Sequence, residues 1–469
     1  VTADFGGNDQ AHAVAVQPDG KILVAGQGGA GFNFTLARYD PNGSLDPTFG
    51  TGGTVTTAGM RQIQSIALQA DGKIVAGGTG SGVGNDFGLA RYNPDGTLDA
   101  SFGTAGLVKT DFAGVAEDVS ALAIQSDGKI VAVGTTNVFM GAALNAALAR
   151  YNTNGSLDAS FGTGGRVTTD FSGGNADSLA ALVIQPDGKL VVSGQSGAAS
   201  DFLVARYNAN GTLDGSFGTG GATTTNFGAF DTASALVLQP DGKIVAAGLG
   251  ASQFAVARYG TTGTLDPTFG SGGTVTTDVT AGFDSAFDLV RQPDGALVVA
   301  GSGSDDLALV RYDANGTLDA SFGVGGQATT DFGGLYNYAE ALALQPDGAL
   351  VTAGLVDQGS GNYDFAVTRH IHVPACAAAP LGGCVPALQA QLSYDEKTPG
   401  KEKMKLRWSK LNGFFTQSGI GDPVGGTTMV SLCIYGDGGA LIQGFKIDRA
   451  GDFCAGKPWW QGVGTKGYK

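Results

Sequence analysis

Four short runs of alternating apolar and polar residues recur along most of this chain in one fixed order. Residues 120–171 show the unit. The run SALAIQ (120–125) leads into S-D-G-K, and IVAVG (130–134) follows. After a variable stretch comes ALARY (147–151), then N-T-N-G-S-L-D and S-F-G-T-G-G, and finally RVTTDF (166–171). Each run has strand length, period-2 alternation and many Val, Ala, Thr and Leu, and no helix-period stretch interrupts them. The D-G pair between the first two runs predicts a two-residue hairpin turn in which both positions favour positive φ.

The unit Q-x-D-G-(K/A) occurs seven times, with its glycine at Gly20, Gly72, Gly128, Gly188, Gly242, Gly295 and Gly348. A unit of roughly 53 residues holding four antiparallel strands predicts a propeller blade. The seventh copy stops after its third run, FAVTRH (365–370), and VTADFGG (1–7) matches VTTDFSG (167–173) position for position. The N-terminal segment is therefore expected to pair as the outermost strand of the last blade. That closes a seven-bladed ring and removes a sheet edge, where an open solenoid would need caps. The fold class expected is all-β: a seven-bladed propeller over 1–373, a linker over 374–387, and a small β-sandwich over 388–469.

These units resemble the delta-60 repeat proteins of bacteria, whose hallmark of D-G-K, A-R-Y, N-G-x-L-D and F-G recurs through residues 1–373. The resemblance implies an exported bacterial propeller, often part of a larger surface protein. It implies no catalytic residues.

Glycine is very abundant, at 80 residues, and belongs to turns, since it follows no G-X-Y period. The net charge of −15 disfavours nucleic acid as a partner. The charge is uneven: from Pro374 onward there are 11 Lys+Arg against 7 Asp+Glu, leaving 16 against 35 before it. That asymmetry suggests self-association of a basic tail with an acidic ring. No run of 18 apolar residues predicts a membrane span. Cys376, Cys384, Cys433 and Cys454 all lie in the last hundred residues. An even number in one small module suggests two disulfides and an oxidising compartment, with Cys433–Cys454 and Cys376–Cys384 preferred among three connectivities.

Repeated residues are read as structural. Arg38, Arg91, Arg150, Arg206, Arg258 and Arg311 precede Asp46, Asp99, Asp158, Asp214, Asp266 and Asp319 by eight positions, and Arg369 closes the set. Each pair is expected to latch the turn between the third and fourth strands. Phe49, Phe102, Phe161, Phe217, Phe269 and Phe322 should plug the seam to the next blade, with Phe112, Phe171 and Phe332 in a similar role. Calcium is the one cofactor the acidic turns suggest. Gly260 and Thr262 stand at two of the positions such a site would need, so the turns are read as hydrogen-bonded Asx turns and no metal or cofactor is expected.

Two connections per blade are nearly constant and two vary, which places the variation on one face of the ring. Scaffold turns stay fixed while recognition loops diverge. The variable face carries Phe32, Phe139, Met140, Phe230, Phe283, Phe287, Tyr336 and Tyr338, with Asp201, Asp231, Asp284, Asp305 and Asp306 among them. Exposed aromatics beside carboxylates suit sugar stacking or a protein hot spot. Nucleophile elbows, phosphate loops and CxxC are lacking, and H-I-H at 370–372 has no evident third metal ligand. The function expected is a secreted or cell-surface binding or adhesion scaffold for an extracellular protein or glycan. The alternatives are a structural subunit of a surface filament and, behind it, a glycoside-active enzyme.

Overall fold

The computed structural model describes residues 1–370, except 30, 82–83, 113–115, 138–143, 229, 334–335 and 358–362. It also describes the backbone of the strands Ala387–Asp395, Lys403–Leu411, Val430–Tyr435, Leu441–Ile447, Phe453–Cys454 and Lys457–Pro458. Two compact units, Val1–His372 and Val373–Lys469, divide the chain.

The first unit contains seven four-stranded antiparallel sheets and, among the described residues, no helix long and apolar enough to cross a membrane. Blade 1 is formed by Gln10–Val16, Ile22–Gly28, Asn33–Tyr39 and Thr54–Thr57, and the next five blades repeat it in chain order. Blade 7 takes Asn337–Leu344, Leu350–Asp357 and Tyr363–His370, with Thr2–Ala3 as its outer strand. Thr2 pairs with Ala366 and Ala3 with Phe365, and the Val1 ammonium donates to the Val367 carbonyl at 2.9 Å. The expected closure by the N-terminal strand is therefore present. The first strands of successive blades lie side by side around the hub, and blade 7 meets blade 1.

The Q-x-D-G turn differs from the expected two-residue form. Gly20 N–H donates to Gln17 O at 2.9 Å and Gln17 N–H to Lys21 O at 2.8 Å. Gly20 alone in the turn has positive φ, +86°. This is a type I turn followed by a left-handed glycine. Pro18 at the first central position has φ fixed near −65°, which forbids the primed turn. The second strand's invariant glycine answers a different demand. Each first strand carries a β-bulge, as between Leu179 and Ala181, and its carbonyl presses on the strand beside it. A Cβ on Gly194 would lie 1.9 Å from Ser178 O.

The Arg–Asp latch forms as expected and reaches further than expected. Arg150 Nε donates to Asp158 at 2.8 Å and its Nη2 to Ser160 Oγ at 3.1 Å, while Nη1 donates to Ala209 O in the next blade. Its guanidinium lies 4.7 Å over the ring of Phe161, which is fully buried at the seam. Gly162 N–H then donates to Asn210 O, also in the next blade, at 2.8 Å. Each seam from blade 1 to blade 6 repeats this, so the latch is an inter-blade clamp as well as a turn closure.

At the five seams from blade 1 to blade 6 a second bond joins the Thr ending the fourth strand to the Tyr that ends the next blade's third strand, as in Tyr151 Oη to Thr110 Oγ1 at 2.8 Å. At the closing seam Ala3 occupies the Thr position. Tyr39 Oη is buried there and has no hydrogen-bond partner among the described residues, and burial pushes its pKa up to about 12. Ala3→Thr should supply the partner and stabilise the ring by about 1 kcal/mol. The expected readout is a higher denaturant midpoint at unchanged m.

Candidate functional site

The face carrying the second-to-third and fourth-to-first connections has a buried acid at five of its seven seams. Asp9, Glu117, Asp177, Asp231 and Asp284 lie within one residue of the start of first strands, and all are at most 2 % exposed. Asp231 Oδ2 accepts from Phe227 N–H at 2.6 Å and Oδ1 from Ala251 N–H at 3.2 Å. Asp284 binds Val279 N–H at 2.7 Å and Ser304 N–H at 3.2 Å. One carboxylate thus ties the fourth-to-first loop to the neighbouring second-to-third loop. Buried backbone N–H groups need acceptors, which explains why an acid recurs here. Asp231 and Asp284 are therefore spent on their own loops and do not face a ligand. The sequence signal was an acid four to six residues after the Phe or Val that follows the fourth strand, present at five seams and replaced by Met60 and Asn337 at the other two.

The aromatics stand differently. Phe32, Phe230, Phe283 and Tyr336 are 44 %, 53 %, 56 % and 41 % exposed. Phe287 and Tyr338 are half-buried. The ring centroids of Phe287 and Tyr338 are 6.2 Å apart, and those of Tyr336 and Tyr338 are 6.0 Å apart. Three of the candidates thus form one cluster at blades 6 and 7. Burial pushes the Tyr338 phenol pKa up, and Asp305 adds to the shift. Phe32, Phe230 and Phe283 lie on other seams. Phe139 and Met140 fall outside the described residues. Phe332, expected as seam packing, is 37 % exposed and joins this face. Its counterparts Phe112 and Phe227 pack on Phe87 and Phe202, whereas blade 6 has Leu307 at that place. Asp201 and Asp306 are half-buried, and Asp201 accepts from Asn226 at 2.9 Å.

The hub below holds polar residues that differ from blade to blade. The bulge residue of each first strand is His12, Gln64, Ser120, Ala180, Ser234, Phe287 or Glu340. His12 Nδ1 contacts Glu340, and its Nε2 lies 2.9 Å from Gln62 Nε2, a chain across blades 7, 1 and 2. Asp288 stands where blades 1, 3, 4, 5 and 7 have alanine. It accepts from Leu289 N–H and Leu342 N–H, each at 2.7 Å, and burial pushes its pKa up to about 6. Variation at one position between constant alanines was the signal available. Both His12 ring nitrogens are engaged, so this network reads as a brace between blades.

At the acidic turns, Asn42 Oδ1 accepts from Ser44 N–H at 3.0 Å, and Asp95, Asn154 and Asn210 do the same. These are Asx turns, and their oxygens are occupied. Two acidic groups on the other face, Asp4/Asp9/Asp364 and Asp86/Asp111/Glu117, bring carboxylate oxygens within 4.8 Å of one another, a spacing suited to a divalent cation. Asp9 already accepts from Phe5 and Gly29 N–H. His370 is held by Thr368 at 2.6 Å and its pKa is lowered by burial. His372, Cys376 and Cys384 lie outside the described residues. Cys433 and Cys454 fall in the strands Val430–Tyr435 and Phe453–Cys454.

Comparison with known proteins adds the repeat family. Among solved structures, similar chains include virginiamycin B lyase from Staphylococcus aureus, at 8 % identity over 78 % of this chain and 96 % of that one, with TM-score 0.45. Hydrazine synthase of Kuenenia stuttgartiensis matches at 16 % identity over 80 % and 98 %, with TM-score 0.48. A protein from Lactobacillus plantarum matches at 18 % over 76 % and 96 %, with TM-score 0.44. At such identities and scores they carry nothing about what this chain does. No curated protein matches the chain. The family model described as "Domain of unknown function (DUF5122) beta-propeller" matches residues 17–49, 69–102, 125–161, 185–217, 239–269 and 292–322. Each match runs from the Gln of Q-x-D-G to the Phe of F-G, the span that forms the turn and the clamp. Six of the seven blades thus contain a stretch that matches this beta-propeller model.

Proposed function

We propose that this propeller is a non-catalytic binding or adhesion scaffold that acts outside the cell and takes a glycan or protein on its variable-loop face. One observation carries the reading. Among the described residues every aromatic at least 36 % exposed, namely Phe32, Phe230, Phe283, Phe332 and Tyr336, lies on that face. The opposite face carries the constant turns. Rings left in water on one side of a rigid frame suit stacking on sugar or burial as interface anchors. Four cysteines confined to residues 376–454 support an oxidising compartment.

A glycan array followed by capture from extracellular material would find the ligand. Tyr336→Ala combined with Phe283→Ala should then weaken binding by at least about tenfold, which is about 1.4 kcal/mol. The melting temperature should be unchanged, because both side chains are exposed. Equal binding by the double variant would refute the assignment of this face.

A further inference from the structure

We infer that the variable-face rim of blade 6 carries a calcium site formed by Asp306, Asp331 and Asn337. The ion is held by this chain alone, so the inference stands apart from the glycan or protein ligand proposed above.

In every blade a residue near the start of the third strand lies opposite the residue that follows the fourth. Thr330 pairs with Leu307, which sets Asp331 beside Asp306. The same register sets Asp111 beside Asp86 in blade 2 and Asp4 beside Asp364 in blade 7. The other blades avoid two acids at this place. They carry Asn145 with Asp170, Asp201 with Asn226, Gln253 with Asp278, and Asn33 with Ala58. In blade 4 the amide satisfies the acid, since Asn226 Nδ2 donates to Asp201 Oδ1 at 2.9 Å. Carboxylates directly opposite one another repel. Burial, with the charges of Asp331 and Asp305 added, accordingly pushes the Asp306 pKa up.

Asn337 is the third group. Its N–H donates to Asp305 O at 2.8 Å, as those of the seam acids Asp9, Asp231 and Asp284 donate to Tyr363, Ser200 and Ser252 O. Those acids are spent on the N–H groups of their loops. Asn337 is not. It is fully buried, and among the described residues neither its Oδ1 nor its Nδ2 is within hydrogen-bond distance of a partner. Its amide nevertheless lies close enough to Asp306 to lower that group's pKa. A buried amide without partners is costly, and an ion between the two carboxylates gives its oxygen one.

The corresponding trios of blades 2 and 7, Asp86/Asp111/Glu117 and Asp4/Asp9/Asp364, show the reach. Their carboxylate oxygens lie within 4.8 Å of one another. That is twice a calcium–oxygen bond of about 2.4 Å. Blade 6 repeats the arrangement with an amide in the third place. Asp331 Oδ1 accepts from Gly333 N–H at 2.6 Å, and among the described residues its Oδ2 is left for the ion. Asp331 is exposed and Asp306 half-buried, so water completes the shell. Calcium accepts such an irregular set of carboxylate, amide and water oxygens, whereas magnesium demands a near-ideal octahedron.

The test counts calcium on the full chain by equilibrium dialysis at about 5 mM free ion, above the range of about 0.1–1 mM usual for extracellular modules. Asp331→Asn recreates the Asp–Asn pair of blade 4 and should bind one calcium fewer than the parent. In chelator it should melt no lower than the parent, because the repulsion leaves with the carboxylate. Calcium should raise the parent's melting temperature by more than the variant's. Asp201→Asn removes a carboxylate from the same face of blade 4 and should leave the count unchanged. The site is overturned if Asp331→Asn binds as much calcium as the parent. It is equally overturned if Asp201→Asn loses as much calcium as Asp331→Asn, which marks general attraction to an acidic face.

Discussion

Gly194→Ala is expected to cost about 4 kcal/mol or more and to leave little soluble protein, although it adds one methyl group. The added Cβ would sit 1.9 Å from Ser178 O, 2.8 Å from Ser178 C and 2.9 Å from Leu179 Cα. All three are backbone atoms of the paired strand, so no rotamer change relieves the overlap. Relief requires undoing the bulge, which would slide the first strand by one residue and exchange its core and hub faces. The same glycine recurs as Gly26, Gly78, Gly134, Gly248, Gly301 and Gly354, with carbonyl approaches of 1.7–2.0 Å. Gly164→Ala is the informative control. Gly164 has φ +61° and nothing within 4 Å of its would-be Cβ, and Ala105 already occupies the equivalent turn position at φ 53°. That variant should lose only about 1 kcal/mol. Urea unfolding of the two proteins, or soluble yield where Gly194→Ala does not accumulate, separates close approach from backbone conformation. Similar losses for both would show that the bulge accommodates a side chain.

The ring was legible in the sequence because its punctuation recurs. Q-x-D-G, A-R-Y and F-G fall at the same steps in each unit, and the missing fourth strand of blade 7 stands at residues 1–5. Detail failed where two residues compete for one backbone choice. D-G suggested a primed turn, but the proline before it in most copies imposes type I. Asp231 and Asp284 read as surface acids because loop sequence does not reveal that loop N–H groups will be buried around them. The clamp's reach into the next blade was also hidden. Arg150 and Ala209 are 59 residues apart, and their contact exists only because a propeller sets those turns edge to edge. Phe287, Tyr336 and Tyr338 come together for the same reason, from two blades.

That long reach makes Arg150→Met the second large effect, expected to destabilise by about 3 kcal/mol. Arg150 is 7 % exposed and satisfies four groups at once: the Asp158 carboxylate, the Ser160 hydroxyl, the Ala209 carbonyl and the face of Phe161. Methionine fills similar volume, so the loss is polar. Asp158 keeps Lys129 at 3.0 Å and Ser160 Oγ at 2.7 Å, which holds the cost to the lower end for a broken buried pair. Arg369→Ala, in an exposed arginine with no clamp, should cost under about 0.5 kcal/mol. The clamp also dictates the acid limb. Burial raises the Asp158 pKa, but Ser160, Lys129 and Arg150 outweigh it and hold the group well below its usual value. A depressed carboxyl pKa gives stability that is present above about pH 4 and lost as pH falls toward the folded value. Five such clamps in blades 1–5 therefore make the ring acid-labile below about pH 4, and Arg150→Met should make that slope shallower by removing one. Asp288 acts with the opposite sign. Its raised pKa makes the folded state bind a proton more readily, so its contribution falls as pH rises from about 4 to about 6. Denaturant midpoints from pH 7 to pH 2 should rise modestly toward pH 4 and then drop. A profile that stays flat below pH 4 would mean that the Arg–Asp clamps do not hold the blades together.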